Sequence, residues 1–240
     1  MKLRIGYVSR NLTMESVKSM LRRPLILGAA LLYGCASSPS KPAEEAQPLN
    51  PLAGMIGRQL LVLPAQFLAV GNAGGGWDIV PAGPSLLPIL DQEIEDVFRA
   101  RGVRNNWTFA RQVTEAANRN GGLVGDPREL HATGIRRVKP GDTPLPEPLA
   151  SDIRNLVALT SARYVLIPLE VHLDTKDNVR TGAMRVLLVD SRTARVTWAD
   201  DIEAPPDRDP LVVSDAFTPY GFRRLAKVLA AKLADMVVPQ

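Results

Sequence analysis

The chain has 240 residues, 45% of them hydrophobic and 22% charged, an ordinary balance for a folded protein that excludes a wholly disordered one. Its formal charge of +4 is no sign of nucleic-acid binding, because residues 1–34 hold six Lys or Arg against one acid while residues 35–240 hold 23 bases against 24 acids. A nucleic-acid binder needs a basic face, and the densest basic run beyond residue 34, Arg136-Arg137-Val138-Lys139, reads as a solvated loop.

Arg22 and Arg23 precede an apolar run from Leu25 to Tyr33, which ends on Gly34 and the one cysteine, Cys35. A bilayer-crossing helix needs about 20 apolar residues, so this run is too short to span. Charged end, short apolar core and small residue are the parts of a secretory signal. Leu32-Tyr33-Gly34-Cys35 resembles the lipobox of bacterial lipoproteins. The resemblance implies cleavage after Gly34, acylation of Cys35 and a place in the cell envelope. Ala36 stands where an Asp would signal inner-membrane retention, which favours the outer membrane, facing the periplasm. Residues 1–19 do not fit the signal, so Met20 or Met14 is the expected start. With Cys35 lipidated, no thiol remains for a disulfide, and the fold has to stand on its apolar core.

Ala36 to Pro51 is small, polar and proline-rich, and residues 35–57 read as a flexible tether behind the lipidated cysteine. Residues 58–240 read as one α/β (α+β) domain. Gln59–Pro64 is an expected buried strand, and Gly71 to Asp78 a flexible glycine loop. Leu86, Leu87, Leu90, Ile94, Val97 and Phe98 have helical spacing, with acids expected on the opposite face and Gly102 as the stop. Val103–Trp107 is an expected short strand. Thr108 is the expected cap of a helix carrying Phe109, Val113, Ala116 and Ala117. Residues 123–148 read as a surface excursion with one helical turn at Pro127–Ala132, a favoured place for function.

From Pro148 the pattern becomes regular. Leu149–Ser161 reads as a helix. Arg163–Leu173, Gly182–Asp190 and Arg195–Ile202 read as three strands in an antiparallel meander, the last alternating at Val196 and Trp198. Pro205–Pro210 reads as a loop and Tyr220–Val237 as an amphipathic helix. The expectation is a mixed sheet ending in this meander, packed by about four helices.

The order Ala162-Arg-Tyr-Val-Leu-Ile-Pro168, Val186-Leu-Leu-Val-Asp190, Val196-Thr-Trp198 is similar to the N-terminal α/β domain of the Tol-system propeller protein. It also resembles the curli-secretion lipoprotein and the lipoprotein activators of penicillin-binding proteins. The resemblance covers roughly residues 58–237 and implies envelope assembly work and partner binding without catalysis.

Candidate sites are sparse. The glycines of Gly71–Gly76 lack the G-x-G-x-x-G spacing and a Walker lysine. His131 and His172 are the only histidines, with no H-E-x-x-H or C-x-x-C, so no metal site is expected and both read as structural. No serine sits in G-x-S-x-G. Asp200, Asp201 and Glu203 could hold a cation or act as acid and base, or simply solvate a strand end. Trp198 is expected to anchor the meander. Trp77, beside glycine, is a candidate partner-binding hot spot or a ring covered by its own loop. No cofactor is expected.

The residues and the resemblance together point to a non-catalytic, periplasm-facing envelope lipoprotein, held to the membrane through Cys35 and binding a protein or peptidoglycan partner. Two alternatives stay open: an oligomeric secretion-component lipoprotein, which needs long hairpins with strands of about 9–11 residues able to form a barrel, and an envelope-polymer hydrolase using Asp200, Asp201 or Glu203.

Overall fold

The computed structural model describes residues 52–71, 77–79, 83–103, 106–139, 144–176, 179–207 and 218–238. The expected signal, Gly34, Cys35 and the expected tether up to residue 51 lie outside the described residues. The strands are β1 (Leu60–Val62), β2 (Phe67–Gly71), β3 (Trp77–Ile79), β4 (Trp107–Thr108), β5 (Tyr164–Lys176), β6 (Val179–Asp190) and β7 (Arg195–Asp207). The helices are α1 (Gly83–Ala100), α2 (Ala110–Arg119), α3 (Leu149–Thr160) and α4 (Pro219–Val237). No described helix is long and apolar enough to cross a membrane.

The expected single α/β domain with a mixed sheet and a C-terminal meander is what the chain forms. The sheet has seven strands, with β5 at its centre. On one side β5 pairs in parallel with β1 along its first half and with β2 along its second half. β4 lies parallel beyond β1, and β3 lies antiparallel beyond β2. On the other side, β6 and β7 complete the antiparallel meander.

Alternation along the strands fills two cores, one on each face. Leu60, Val62, Tyr164, Leu166, Met184, Val186 and Leu188 meet α1 and α4. Leu61, Leu63, Val165, Ile167, Leu187 and Val189 meet α2, α3 and residues 124–145. In α4, Leu225, Leu229 and Leu233 are buried along with Ala226, Ala230 and Ala234. The small alanines leave room for α1 to lie close. Leu52 and Met55, ahead of β1, are buried in the same core.

Two irregularities invert the alternation. Between Pro168 and Glu170 the β5–β6 register shifts. Leu169 joins the core under α2 and α3, and so Val171 and Leu173 turn to the α1–α4 side. The second shift leaves Thr197 unpaired between Val196 and Trp198. The expectation that Val196 and Trp198 share a face is therefore corrected. Val196 is buried under α3, whereas Trp198 packs on the α1–α4 core. A bulge adds one residue to a strand and reverses everything beyond it.

Other expectations are corrected locally. The segment read as a glycine loop begins and ends in strand, with Gly71 paired to Trp77; residues 72–76 lie outside the described residues. Thr108 is not the cap of α2. Phe109 holds that place, and its N–H is met by the Gln112 side chain at 2.9 Å, half of a capping box. Strand β7 runs through Pro205 and Pro206, which an edge strand tolerates. Gly102 does end α1. At φ +86° it donates to Arg99 O, and Val103 donates to Phe98 O, the paired bonds of a Schellman stop.

Gly182, on β6, faces α4 so closely that a Cβ there would lie 2.6 Å from Leu225 Cδ1. Overpacking a buried contact costs about 1–3 kcal/mol. Gly182→Ala should lower stability to urea by that amount. In a Leu225→Ala background the same change should cost less, and an unchanged cost would show that the clash is not the cause.

Candidate functional site

The site grows from a gap in the sheet. The apolar run that makes β1 meets Pro64, which has no N–H to give. Leu63 N still donates to Leu166 O at 2.9 Å, and Gln66 N donates to Pro168 O at 3.2 Å. Between them the Ala65 N–H leaves the ladder and donates to Asp91 Oδ1 on α1, 2.8 Å away. A buried amide needs such a partner. The Gln66 side chain fills the rest of the gap. Its amide donates to Pro64 O at 2.6 Å and Pro127 O at 2.9 Å, and its oxygen accepts from Leu130 N at 3.3 Å.

Asp91 is 7% exposed. Its Oδ2 lies 2.8 Å from Arg128 Nη2 in an ion pair that is not aligned as a hydrogen bond, and Arg128 Nη1 is buried without a partner among the described residues. Burial drives the Asp91 carboxyl up to about 6, outweighing the Ala65 N–H and the Arg128 charge, which pull it down.

A second pair lies where β5 shifts register. Glu170, 2% exposed, accepts both arms of the Arg136 guanidinium. His172 Nε2 stands 3.1 Å from Glu170 Oε1, and the Arg136 guanidinium carbon lies 5.8 Å from the Phe67 ring centre. Burial pushes the Glu170 carboxyl up, but His172 and Arg136 together win and hold it at about 2.

Arg128 and Arg136 both come from residues 123–139. That stretch is therefore not the surface excursion expected. Val124, Leu130, Ala132, Ile135 and Leu145 are buried beneath it, and its helical turn is Ala132–Ile135 rather than Pro127–Ala132. The basic run is solvated only in part: Arg137 and Lys139 are exposed as expected. Arg136 is committed to Glu170, and Val138 O accepts from Arg185 at 2.6 Å.

Between α1 and α2 the Asp91–Arg128 pair opens into a cleft of about 260 Å³, lined also by Gln92, Glu95, Arg111 and Thr114. Glu95, buried, sits 2.7 Å from Arg99 and 3.5 Å from Arg111. Thr114, the hydroxyl in the cleft, already donates to Ala110 O at 2.9 Å. The arrangement presents fixed charges of both signs, suited to holding a polar group rather than to attacking one.

The residues singled out from sequence are placed apart. His131 pairs with Asp152 at 3.0 Å on the surface, while His172 joins Glu170 within the strand rather than at its end. Asp201 pairs with Arg185 at 2.9 Å, and it alternates along β7 with Asp200, so the acidic trio does not converge. Among the described residues no group of three or more His, Cys, Asp or Glu is placed to hold a metal. Trp77 opens β3, opposite Gly71. Cys35 and Gly34 lie outside the described residues.

Asp91, Glu170, Gln66, Arg128 and Arg136 were not expected. Two carried a readable signal. Asp91 occupies the apolar stripe of Leu87, Leu90, Ile94 and Phe98, and Glu170 stands as a charge in the otherwise apolar run from Val165 to Val171. Of the acids of α1 expected to face water, Asp96 does, whereas Glu93 at 7% and Glu95 at 4% exposure are buried, because α4 and α2 flank the helix and supply Arg223 and Arg111.

The chain matches no protein-family model and no curated protein. Among solved structures it is similar to the LpoB C-terminal domain from Salmonella enterica, at 12% identity and a TM-score of 0.36, covering 65% of this chain and 93% of that one. It is also similar to lipoprotein GNA1162 from Neisseria meningitidis, at 17% identity and a TM-score of 0.31, covering 60% and 78%. A third is the PelC dodecamer from Paraburkholderia phytofirmans, at 14% identity and a TM-score of 0.32, covering 75% and 87%. Of the proteins expected from the sequence, the penicillin-binding-protein activator lipoprotein is represented here and the Tol-system propeller protein is not supported.

The two carboxyls give opposite pH dependences. The folded Asp91 binds its proton more tightly than the unfolded chain does. Its contribution therefore makes stability fall as pH rises from about 4 to about 6, by a term on the order of 3 kcal/mol. Asp91→Asn should abolish that slope in urea titrations across pH 4–7. Glu170 acts in reverse. It stabilises above its ordinary 4.5, and that stability drains as pH falls toward 2. Glu170→Gln should cost somewhat less than the about 3–5 kcal/mol of a fully buried broken pair, since Arg136 retains 27% exposure. A loss below about 1 kcal/mol would mean the pair is solvated like a surface bridge.

Proposed function

We propose that the chain is a non-catalytic lipoprotein of the bacterial cell envelope, held through acyl chains on Cys35, facing the periplasm from the outer membrane and presenting residues 58–240 to a protein or cell-wall partner. The observation that carries the reading is the run from Arg22 to Cys35: two cations, an apolar stretch too short to span, a glycine and the chain's one cysteine. Residues 1–34 are the signal in this reading, and residues 35–51 the anchor and tether, since Leu52 and Met55 of the expected 35–57 tether are buried in the core of the folded unit. One acyl chain holds a protein only marginally, and two or more hold it firmly.

The folded unit supports a binding role in its own way. Its buried carboxylates are engaged in holding segments together: Asp91 with Arg128, Glu170 with Arg136 and His172, Asp190 with Arg163. The central hairpin strands β5 and β6 bury residues on both faces, so they are committed to this sheet rather than to a barrel. Trp77 is a candidate partner contact on the outermost strand beside β2.

In a bacterial host, labelled palmitate should enter the chain and be lost in Cys35→Ala. Crosslinking and recovery of the lipidated chain should yield an envelope partner that Cys35→Ala fails to capture. Absence of label in the parent chain would sink the anchored reading.

A further inference from the structure

Strand β7 is paired on one side only. β6 covers one edge. On the other edge, among the described residues, contact is confined to the start, where Pro144 bridges Arg195 and Leu145 N donates to Ala194 O at 2.8 Å. Beyond the bulge at Thr197 and ahead of Pro205 and Pro206, the residues Thr197-Trp-Ala-Asp-Asp-Ile-Glu-Ala204 form an extended edge without a second strand among the described residues. Such an edge offers a row of N–H and C=O groups to any chain that can align with it.

The side chains decide which chain that is. Asp200, Asp201 and Glu203 are exposed, and no Lys or Arg lies between Thr197 and Ala204. Only Asp201 has a cation, Arg185, among the described residues. Acids alternate onto both faces of the strand, so an antiparallel second copy would set acid against acid, which is unfavourable. A strand with Lys or Arg at alternate positions meets opposite charges instead. Trp198, packed on the α1–α4 core one register step away, adds an aromatic within reach of cross-strand neighbours.

We propose that the Thr197–Ala204 edge of β7 is a β-addition site for an extended, basic segment of a partner protein. It deepens the reading of the chain as a partner-binding lipoprotein by naming where and with what chemistry the partner docks. The edge accepts main-chain hydrogen bonds, and the acids choose the sequence and exclude self-pairing.

The test uses the full chain in detergent with two synthetic peptides, one alternating Lys and Val, the other alternating Glu and Val. The basic peptide should bind and slow amide hydrogen exchange at alternate residues of 197–204, with the chain remaining monomeric. Asp201→Lys combined with Glu203→Lys, which share one face of β7, should weaken it about tenfold, the size of a few cross-strand charge reversals, and admit the acidic peptide. Both residues are exposed, so an unchanged unfolding midpoint should show the fold intact. Equal binding of both peptides, protection outside 197–204, or no binding overturns the proposal. Envelope crosslinking separates it from the reading it rests on. If the doubly substituted chain keeps its palmitate label and its partner, the edge is wrong and the anchored role stands.

Discussion

The bond from Ala65 N–H to Asp91 is the point from which the rest of the architecture can be reasoned. Pro64 forces a gap between β1 and β2, and a gap in a buried strand leaves backbone groups that water cannot reach. The chain answers with a carboxylate from α1 and an amide from Gln66. A lone buried carboxylate is itself costly, so it draws in Arg128. Gln66 meanwhile holds Pro127 and Leu130. Each solution creates the next requirement, and together they place residues 123–139 against the sheet.

The shift in β5 lies opposite that gap and serves the same segment. By turning Glu170 and His172 toward the α2–α3 face, it gives Arg136 a buried partner. Thus two arginines, eight residues apart in one irregular stretch, are each met by a carboxylate from a regular element. The two carboxyls differ in character because their surroundings differ. Asp91 has one cation at imperfect alignment and is dominated by burial, whereas Glu170 has a bidentate guanidinium and an imidazole, which overcome burial.

Much of this fold was legible because hydrophobic periodicity survives in the long elements. The spacing from Leu86 to Phe98, the meander from Tyr164 onward and the stripe of α4 all lie within a few residues of their expected bounds. What sequence reading missed shares one cause. β2 and β3 are short and flank glycines, so no period develops. The bulge at Thr197 changes the face of Trp198 without any residue that advertises it. The segment 123–139 has no period at all, and its order comes from ion pairs with residues remote in sequence. Asp91 and Glu170 were visible as charges in apolar positions, but their arginine partners were not, since pairing over 34 residues or more leaves no local trace.

Leu52 and Met55 give the N-terminal entrance of the folded unit a mechanical character. They are buried against the same core as α4, immediately before β1. A load arriving along the chain from residue 51 would meet these two side chains before any strand. β1 itself is clasped between two parallel neighbours, β4 and β5. Tension along it would therefore be shared across both ladders in shear instead of peeling them bond by bond. The strand nearest the point of pull is thus one that is held along both of its edges.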